Sequence, residues 1–174
     1  MKVDINTLIY RELNTEDIDL VMELQDKIIE SLDDSEILRK NDKELMLASI
    51  SGRGISVGVF APDDSKRMIA LSIMVDAKGT SEDLSVGLER HSVTVPINLK
   101  SVMVLPEYRG NGLQRHLMVK LEGWAREQGY THSCVSIHPK NKFSMNNAIA
   151  MGYEYDHTAV KYGGLTRDIL VKIL

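Results

Sequence analysis

Apolar residues recur along this chain at two spacings, and the switches between them mark out its elements. Residues 7–13 (TLIYREL) predict a short strand. Asn14, with Asp17 three residues later, is placed to cap the helix that follows. Ile18, Val21, Met22, Gln25, Ile28, Ile29 and Leu32 then keep helical spacing, with one polar break at Gln25. A second helix is expected from about Glu36 to Ile50, with Leu38 and Leu45 facing inward, after the acidic joint Leu32-Asp33-Asp34-Ser35.

Beyond Gly52-Arg53-Gly54 the period changes to that of strands. ISVGVF (55–60) and MIALSIMV (68–75), joined by PDDSKR (62–67), predict an antiparallel hairpin. Residues 77–97 show no firm pattern, although HSVTVP (91–96) allows a short strand. NLKSVMVL (98–105) predicts a strand ended by Pro106. Leu113, Leu117, Leu121, Trp124 and Ala125 form one apolar stripe, so 112–129 is the clearest helix, and Gly129 stands at its C-terminal cap. THSCVSI (131–137) is the next strand, 141–151 a short helix ended by Gly152, and 153–160 with 165–173 a closing hairpin around KYGG. The order β-α-α-β-β-β-α-β-α-β-β describes an α/β chain, a mixed sheet with helices on its faces.

At 174 residues the chain is expected to form one domain, 1–174, large enough to fold without a disulfide or metal. Its single cysteine, Cys134, excludes an intrachain disulfide framework and a multi-cysteine zinc site. His132 and His138 lack neighbours to complete a metal set, so no metal is expected. The opening residues lack an apolar signal core and no later stretch has the length of a membrane span, so a cytoplasmic protein is expected. Charge is unevenly spread. Residues 1–99 carry 11 Lys/Arg against 19 Asp/Glu, whereas 100–142 carry 7 against 3. An acidic whole speaks against broad nucleic-acid binding, and the basic middle suits a small polyanion or, equally simply, solvated faces.

That middle holds the strongest chemical signal. Val104 to Gln114 leaves a strand, turns through Gly110 and Gly112 and enters a helix. The first turn of a helix offers unpaired N–H groups at the positive end of its dipole, and glycines let the backbone approach a phosphate. The segment is thus a main-chain cradle for an anion such as a pyrophosphate, with Arg109 and Arg115 adding charge. It is no P-loop, because no Lys-Ser/Thr pair follows the second glycine, and the third glycine of a dinucleotide fingerprint is missing.

Pro106-Glu107-Tyr108-Arg109-Gly110-Asn111-Gly112-Leu113 resembles the acetyl-CoA loop of the GNAT superfamily of N-acetyltransferases, with Gln114 where that family has a small residue. Tyr10 to Asp17 resembles the family's first strand and helix start. Val135 to Ser144, followed by Gly152-Tyr153, resembles its second cofactor motif, and a later Tyr162-Gly163-Gly164 with Arg167 resembles a bacterial subgroup. The resemblance implies the GNAT acyl-CoA N-acyltransferase fold, in which strands 98–105 and 131–137 are parallel neighbours splayed like a V and held open by a bulge near Pro106. It implies acetyl-CoA in that V, held by the main chain of Met103 and Val104, by Arg109, Gly110, Asn111, Gly112, Leu113 and Gln114, and by Asn141 and Ser144. It further implies transfer of acetyl to a primary amine of a small molecule or peptide, with no nucleic acid or membrane as partner. Oligomeric state stays open, a homodimer included.

The tyrosine that the family uses as general acid falls at Ala148 in this chain. Ser144 and Asn147, one helical turn apart and the latter where the family has an apolar residue, could donate hydrogen bonds in its place, and helix capping with surface solvation explains the same residues equally well. His138, at a strand end, is a candidate base, as are the weaker His91, Glu89 and Glu82. Tyr153 and Tyr155 alternate along one strand, and at least one is expected to pack in the core. Cys134 reads as a small core residue. The loss of the acid leaves a second reading, a non-catalytic acyl-CoA sensor. The joint Asp33-Asp34 falls where the family's acceptor site has its edge, as a lure for a cationic amine or simply a solvated loop.

Overall fold

Seven strands and four helices follow one another in the computed structural model, which describes residues 1–174 apart from the side chain of Ser65. They are β1 (Ile9–Glu12), α1 (Ile18–Glu30), α2 (Lys43–Ser51), β2 (Gly54–Ala61), β3 (Asp64–Val75), β4 (Pro96–Val104), α3 (Leu113–Glu127), β5 (His132–Ile137), α4 (Lys142–Ala150), β6 (Glu154–Lys161) and β7 (Leu165–Ile173). This is the order of elements that the periodicity predicts. One mixed sheet runs β1-β2-β3-β4-β5-β7-β6, with β4 and β5 parallel and the other neighbours antiparallel.

The apolar stripes of the helices meet on this sheet. Ile18, Val21, Leu24 and Ile28 of α1, Met46 of α2 and Leu113, Leu117, Met118, Leu121 and Ala125 of α3 share one buried cluster with β2, β3 and β4. Gln25, the polar break in the first stripe, is fully buried and yet satisfied. Its amide donates to the Asn41 carbonyl at 2.8 Å and accepts from the Asn41 N–H at 3.0 Å. That pair holds residues 38–42 in a non-helical path. The second helix therefore begins at Lys43, capped by Asp42, and not near Glu36; Ser35–Ile37 is a separate 3-10 turn. Its buried positions are Met46 and Ser49, while Leu38 and Leu45 are only partly covered.

Three further expectations need correction. No strand forms at 91–95; β4 begins at Pro96. The bulge of β4 lies at Lys100, not near Pro106: Ile73 pairs with Ser101 and Met74 with Leu99, which leaves Lys100 as the extra residue. The turn between β2 and β3 is also tighter than 62–67, because β3 already starts at Asp64.

Residues 77–95 are irregular because their order comes from side chains and not from a ladder. Asp156, completely buried in β6, accepts from the main-chain N–H of Glu89 at 2.7 Å and of Arg90 at 2.9 Å. His91 and His157 each place Nδ1 2.7 Å from its carboxylate. Leu84, with Leu88 and Val93 partly covered, packs on Cys134, Ile169 and Val171 of β5 and β7.

These hydrogen bonds hold the Asp156 carboxyl far below the usual carboxylate range against the opposing effect of burial. Chiefly through its bond to Asp156, His91 is raised above its ordinary value. A depressed carboxylate stabilises the fold above its unfolded pKa, about 3.9, and loses that contribution as pH falls through the folded value. A raised histidine contributes fully below about 6.5 and loses it as pH rises through its folded value. Asp156→Asn is therefore expected to cost about 2–4 kcal/mol. Thermal melts across pH should show the largest gap from the parent chain between about pH 4 and 6.5. An equal melting temperature in that window would show that Asp156 does not hold the loop.

Candidate functional site

β4 and β5 are bonded over only three residue pairs, Pro96↔His132, Ile97↔Ser133 and Asn98↔Cys134. Past Asn98, β4 stays with β3 up to Val104, whereas β5 stays with β7 up to Ile137. The two strands thus part toward their C-terminal ends. The Leu105 N–H bonds the Ile69 carbonyl at 2.9 Å, so Val104 and Ala70 form a non-hydrogen-bonded pair. By the alternation of an antiparallel ladder, Val104 and Val102 direct main-chain groups into the opening, while those of Met103 are directed to β3. The resemblance singles out Met103 and Val104; the ladder gives that orientation to Val104 and adds Val102 in place of Met103.

At the mouth of the opening the chain turns through Pro106–Tyr108 and enters α3. Gly110 and Gly112 both have φ of 78°, a left-handed conformation that side chains with a Cβ resist. Gly112 is the N-cap of α3 and brings no side-chain acceptor to the first turn. A Cβ at Gly112 would meet no atom within 4 Å, so the space before the helix is open. Uncapped N–H groups beside open space fit a pyrophosphate. The Arg109 Nε donates to the Val104 carbonyl at 3.1 Å, which sets its guanidinium beside the loop. Asn111 works in another direction: it accepts from the Val3 N–H and donates to the Met1 and Tyr108 carbonyls, pinning the first residues onto the loop.

α4 closes the other side. Asn141 is its N-cap and accepts from the Ser144 N–H at 3.1 Å. Asn147 Nδ2 donates to Gln114 Oε1 at 2.7 Å, and Gln114 Nε2 lies 3.4 Å from Ser144 Oγ. Two of the departures from the family pattern, Gln114 and Asn147, therefore meet each other across the mouth. Ala148, at the position of the absent tyrosine, is 1% exposed and sits in the core.

The other candidates lie elsewhere. His138 is buried, and its Nδ1 accepts the Lys140 N–H at 3.2 Å within the β5–α4 turn. Tyr153 is buried with its hydroxyl 2.7 Å from Ser133 Oγ; burial, and then Glu122, push it well above its ordinary value. Tyr155 is exposed and bonded to Thr158, so the two tyrosines do not share an environment. The Cys134 thiol is fully buried and pushed up to about 12 by desolvation, which removes it as a nucleophile. His91 and Glu89 belong to the Asp156 cluster.

A cleft in the opening was not foreseen as a unit. Lys100 and Ser101 of β4, Ser136 of β5, Arg39, Glu82, Tyr162 and Arg167 line it. Glu82 Oε2 takes Arg39 at 2.6 Å and Lys100 at 3.5 Å. The Tyr162 hydroxyl lies 2.8 Å from Ser136 Oγ, and its ring sits 4.1 Å below the Arg39 guanidinium. Tyr162 has φ of 55°, a strained value for a residue with a side chain. In the sequence Tyr162 and Arg167 carried a signal as part of a motif without a role, and Glu82 as a weaker candidate base; Lys100 and Arg39 carried none.

Comparison with known proteins bears on both the fold and the loop. Residues 92–153 match the acetyltransferase (GNAT) family. No curated protein matches the chain by sequence. Among solved structures, the PaiA N-acetyltransferase of Thermoplasma acidophilum in complex with coenzyme A is similar over 96% of this chain and 99% of its own, with TM-score 0.66 and 16% identity. The ribosomal-protein-S18-alanine N-acetyltransferase of Escherichia coli is similar over 95% and 93%, with TM-score 0.69 and 13% identity. The polyamine N-acetyltransferase of Drosophila melanogaster is similar over 96% and 100%, with TM-score 0.70 and 15% identity. At such identities the likeness is one of fold. The chain therefore has the fold of the GNAT N-acetyltransferases and, over residues 92–153, which include Gly110 and Gly112, the sequence pattern of the GNAT acetyltransferase family.

Proposed function

We propose that the chain, as one unit over residues 1–174, is an N-acetyltransferase that moves acetyl from acetyl-CoA to a primary amine of a small molecule or peptide by direct attack. The observation that carries this reading is the parting of β4 from β5 with an uncapped helix N-terminus at its mouth. A single reduced cysteine suits a cytoplasmic setting.

Acetyl-CoA supplies the acyl group already activated as a thioester. In this reading the N–H groups of Arg109–Gln114 hold its pyrophosphate, with Arg109 and Arg115 adding positive charge. Main-chain groups of Val102 and Val104 hold the extended arm as a further strand would be held. Leu113, 2% exposed, anchors the start of α3 in the core, and Asn141 fixes the start of α4. Ser144 and Asn147, aligned by Gln114, hydrogen-bond near the departing sulfur. Each keeps a donor for this: Ser144 its hydroxyl hydrogen, Asn147 its second amide hydrogen. Neither is an acid, so acceleration rests on orientation of the amine and polarisation of the thioester carbonyl. His138 and Tyr153, committed to a turn and to the core, are the poorer candidates for proton transfer.

Three measurements follow from this arrangement. Acetyl-CoA is expected to raise the melting temperature of the parent chain. Gly112→Val should abolish that rise, because a β-branched side chain resists φ of 78° and fills the cradle; a rise retained in the variant would put the cofactor elsewhere. Asn147→Ala should lower turnover roughly 10- to 100-fold with little change in acetyl-CoA affinity, the pattern of a contact strengthened in the transition state. Unchanged turnover in both Asn147→Ala and Ser144→Ala would remove them from catalysis. Restoring the family tyrosine is expected to fail: Ala148→Tyr overpacks a buried site, costing about 1–3 kcal/mol without a gain in rate. A faster Ala148→Tyr enzyme would mean that the helix can shift to admit the ring.

A non-catalytic acyl-CoA sensor is the second reading, favoured by the alanine at 148. Thiol release over a panel of amines separates the two.

A further inference from the structure

The cleft between the parted strands is unbalanced in charge. It contains three cations, Arg39, Lys100 and Arg167, and one carboxylate, Glu82. A single Glu82 oxygen serves both Arg39 and Lys100. Arg167 is 3% exposed and has only main-chain partners, donating to the Thr166 carbonyl at 2.8 Å and to the Glu36 carbonyl at 2.7 Å. Among the described residues no carboxylate lies within 4.0 Å of its guanidinium. Asp34, which caps the 3-10 turn at Ser35–Ile37 and lies 3.8 Å from Lys140, and the exposed Glu36 offset part of the Arg167 charge through space, but neither pairs with it.

Burying excess positive charge costs free energy unless an anion compensates. Desolvation pulls both Lys100 and Arg167 below their ordinary values, and Arg39 adds to this in each case. Lys100 does not brace the sheet, since it is the bulged residue of β4 and leaves the ladder intact on either side. The strained Tyr162 holds its hydroxyl on Ser136 at the same place. One group remains that accepts and has nothing to accept from: Asn41 Oδ1 is buried with no partner among the described residues, and Asn41 lines the cleft.

We propose that this cleft is the acceptor subsite and that it selects amines carrying a carboxylate, of the amino-acid class, with the carboxylate on Arg167 and Lys100. The inference rests on the acetyl-transfer reading and deepens it. The planar Arg167 guanidinium suits a carboxylate, and Lys100 adds a point charge. In the reaction the amine nitrogen forms a bond to the acetyl carbon, the carbon–sulfur bond breaks, and the proton lost by the amine leaves with the thiol. The product is an N-acetyl amino acid, which keeps the carboxylate that the cleft holds. A polycationic amine meets a net positive cleft and is disfavoured.

The test uses the full chain and two readouts. Thiol release from acetyl-CoA is followed with the twenty L-amino acids, their carboxamides, and spermidine and tyramine as amines without a carboxylate. Separately, the melting temperature with coenzyme A bound is measured with N-acetyl-L-amino acids and with their amides, which needs no turnover. We expect kcat/KM for the free acid to exceed that for its carboxamide ~10-fold or more. N-acetyl amino acids should raise the melting temperature and their amides should not. Arg167→Gln and Lys100→Gln should each raise KM for the acid with kcat less affected, and shrink the acid-to-amide ratio toward one; Arg167→Lys should restore part of it. Because Arg167 also holds the Glu36 carbonyl, Lys100→Gln serves if Arg167→Gln does not fold. A preference for carboxamides, spermidine or tyramine, or equal thermal effects of acids and amides, overturns the carboxylate assignment and leaves acetyl transfer standing. No thermal response to acetyl-CoA and no thiol release from any amine would instead overturn the acetyltransferase reading beneath it.

Discussion

Two parallel strands that stop bonding to each other leave main-chain groups facing a gap, and those groups must find partners or water. In this chain the gap opens past Asn98 and Cys134, because β4 continues along β3 while β5 continues along β7. The residues of the proposed site are arranged around that opening. Val102 and Val104 face it, the N-terminus of α3 stands at its mouth, and the bulge at Lys100 turns a charged residue to its inner end. A sheet with β4 and β5 paired throughout would be better bonded and would have no place for an extended ligand.

The irregular segments around the opening are held by buried polar side chains acting on main chain. Gln25 fixes residues 38–42, which bring Arg39 and Asn41 to the cleft. Asp156 fixes residues 89–91, and the Asn98 amide donates to the Glu82 carbonyl at 2.7 Å. Gln114 ties α3 to α4 through Asn147 and Ser144. Each such group is expensive if left unpaired, so each allows one loop path and penalises the others. Function then sits on loops whose geometry is nearly as determined as that of the strands.

The electrostatics of the opening divide into two parts. At the mouth the positive field comes from a helix end and exposed arginines, where solvent screens it and a flexible polyanion can be gathered. At the inner end it comes from desolvated cations with one shared carboxylate, where a small change in ligand charge has a large effect. On the proposed reading, cofactor capture and acceptor choice are separate problems solved by different residues.

The order of the elements was legible from the sequence because helix and strand periods are local, and the apolar stripes of 18–28 and 113–125 were long enough to stand out. The loop at Gly110 and Gly112 was legible for the same reason: positive φ and a bare helix start are properties of a few consecutive residues. Local signals misled where a long-range bond decided the outcome. Residues 36–42 looked helical until Gln25 took their main chain, and residues 91–95 looked strand-like until Asp156 and Thr131 claimed them. The bulge was sought at a proline, yet it sits at Lys100, where only the pairing with β3 reveals it. Gln114 and Asn147 each read as an isolated oddity, and 33 residues of chain separate two side chains that touch. Arg39, Glu82, Lys100 and Arg167 come from four distant segments, so no window of sequence could show that three cations meet with one carboxylate, which pairs with only two of them. That imbalance exists only once the sheet has brought them to the same end of the same opening.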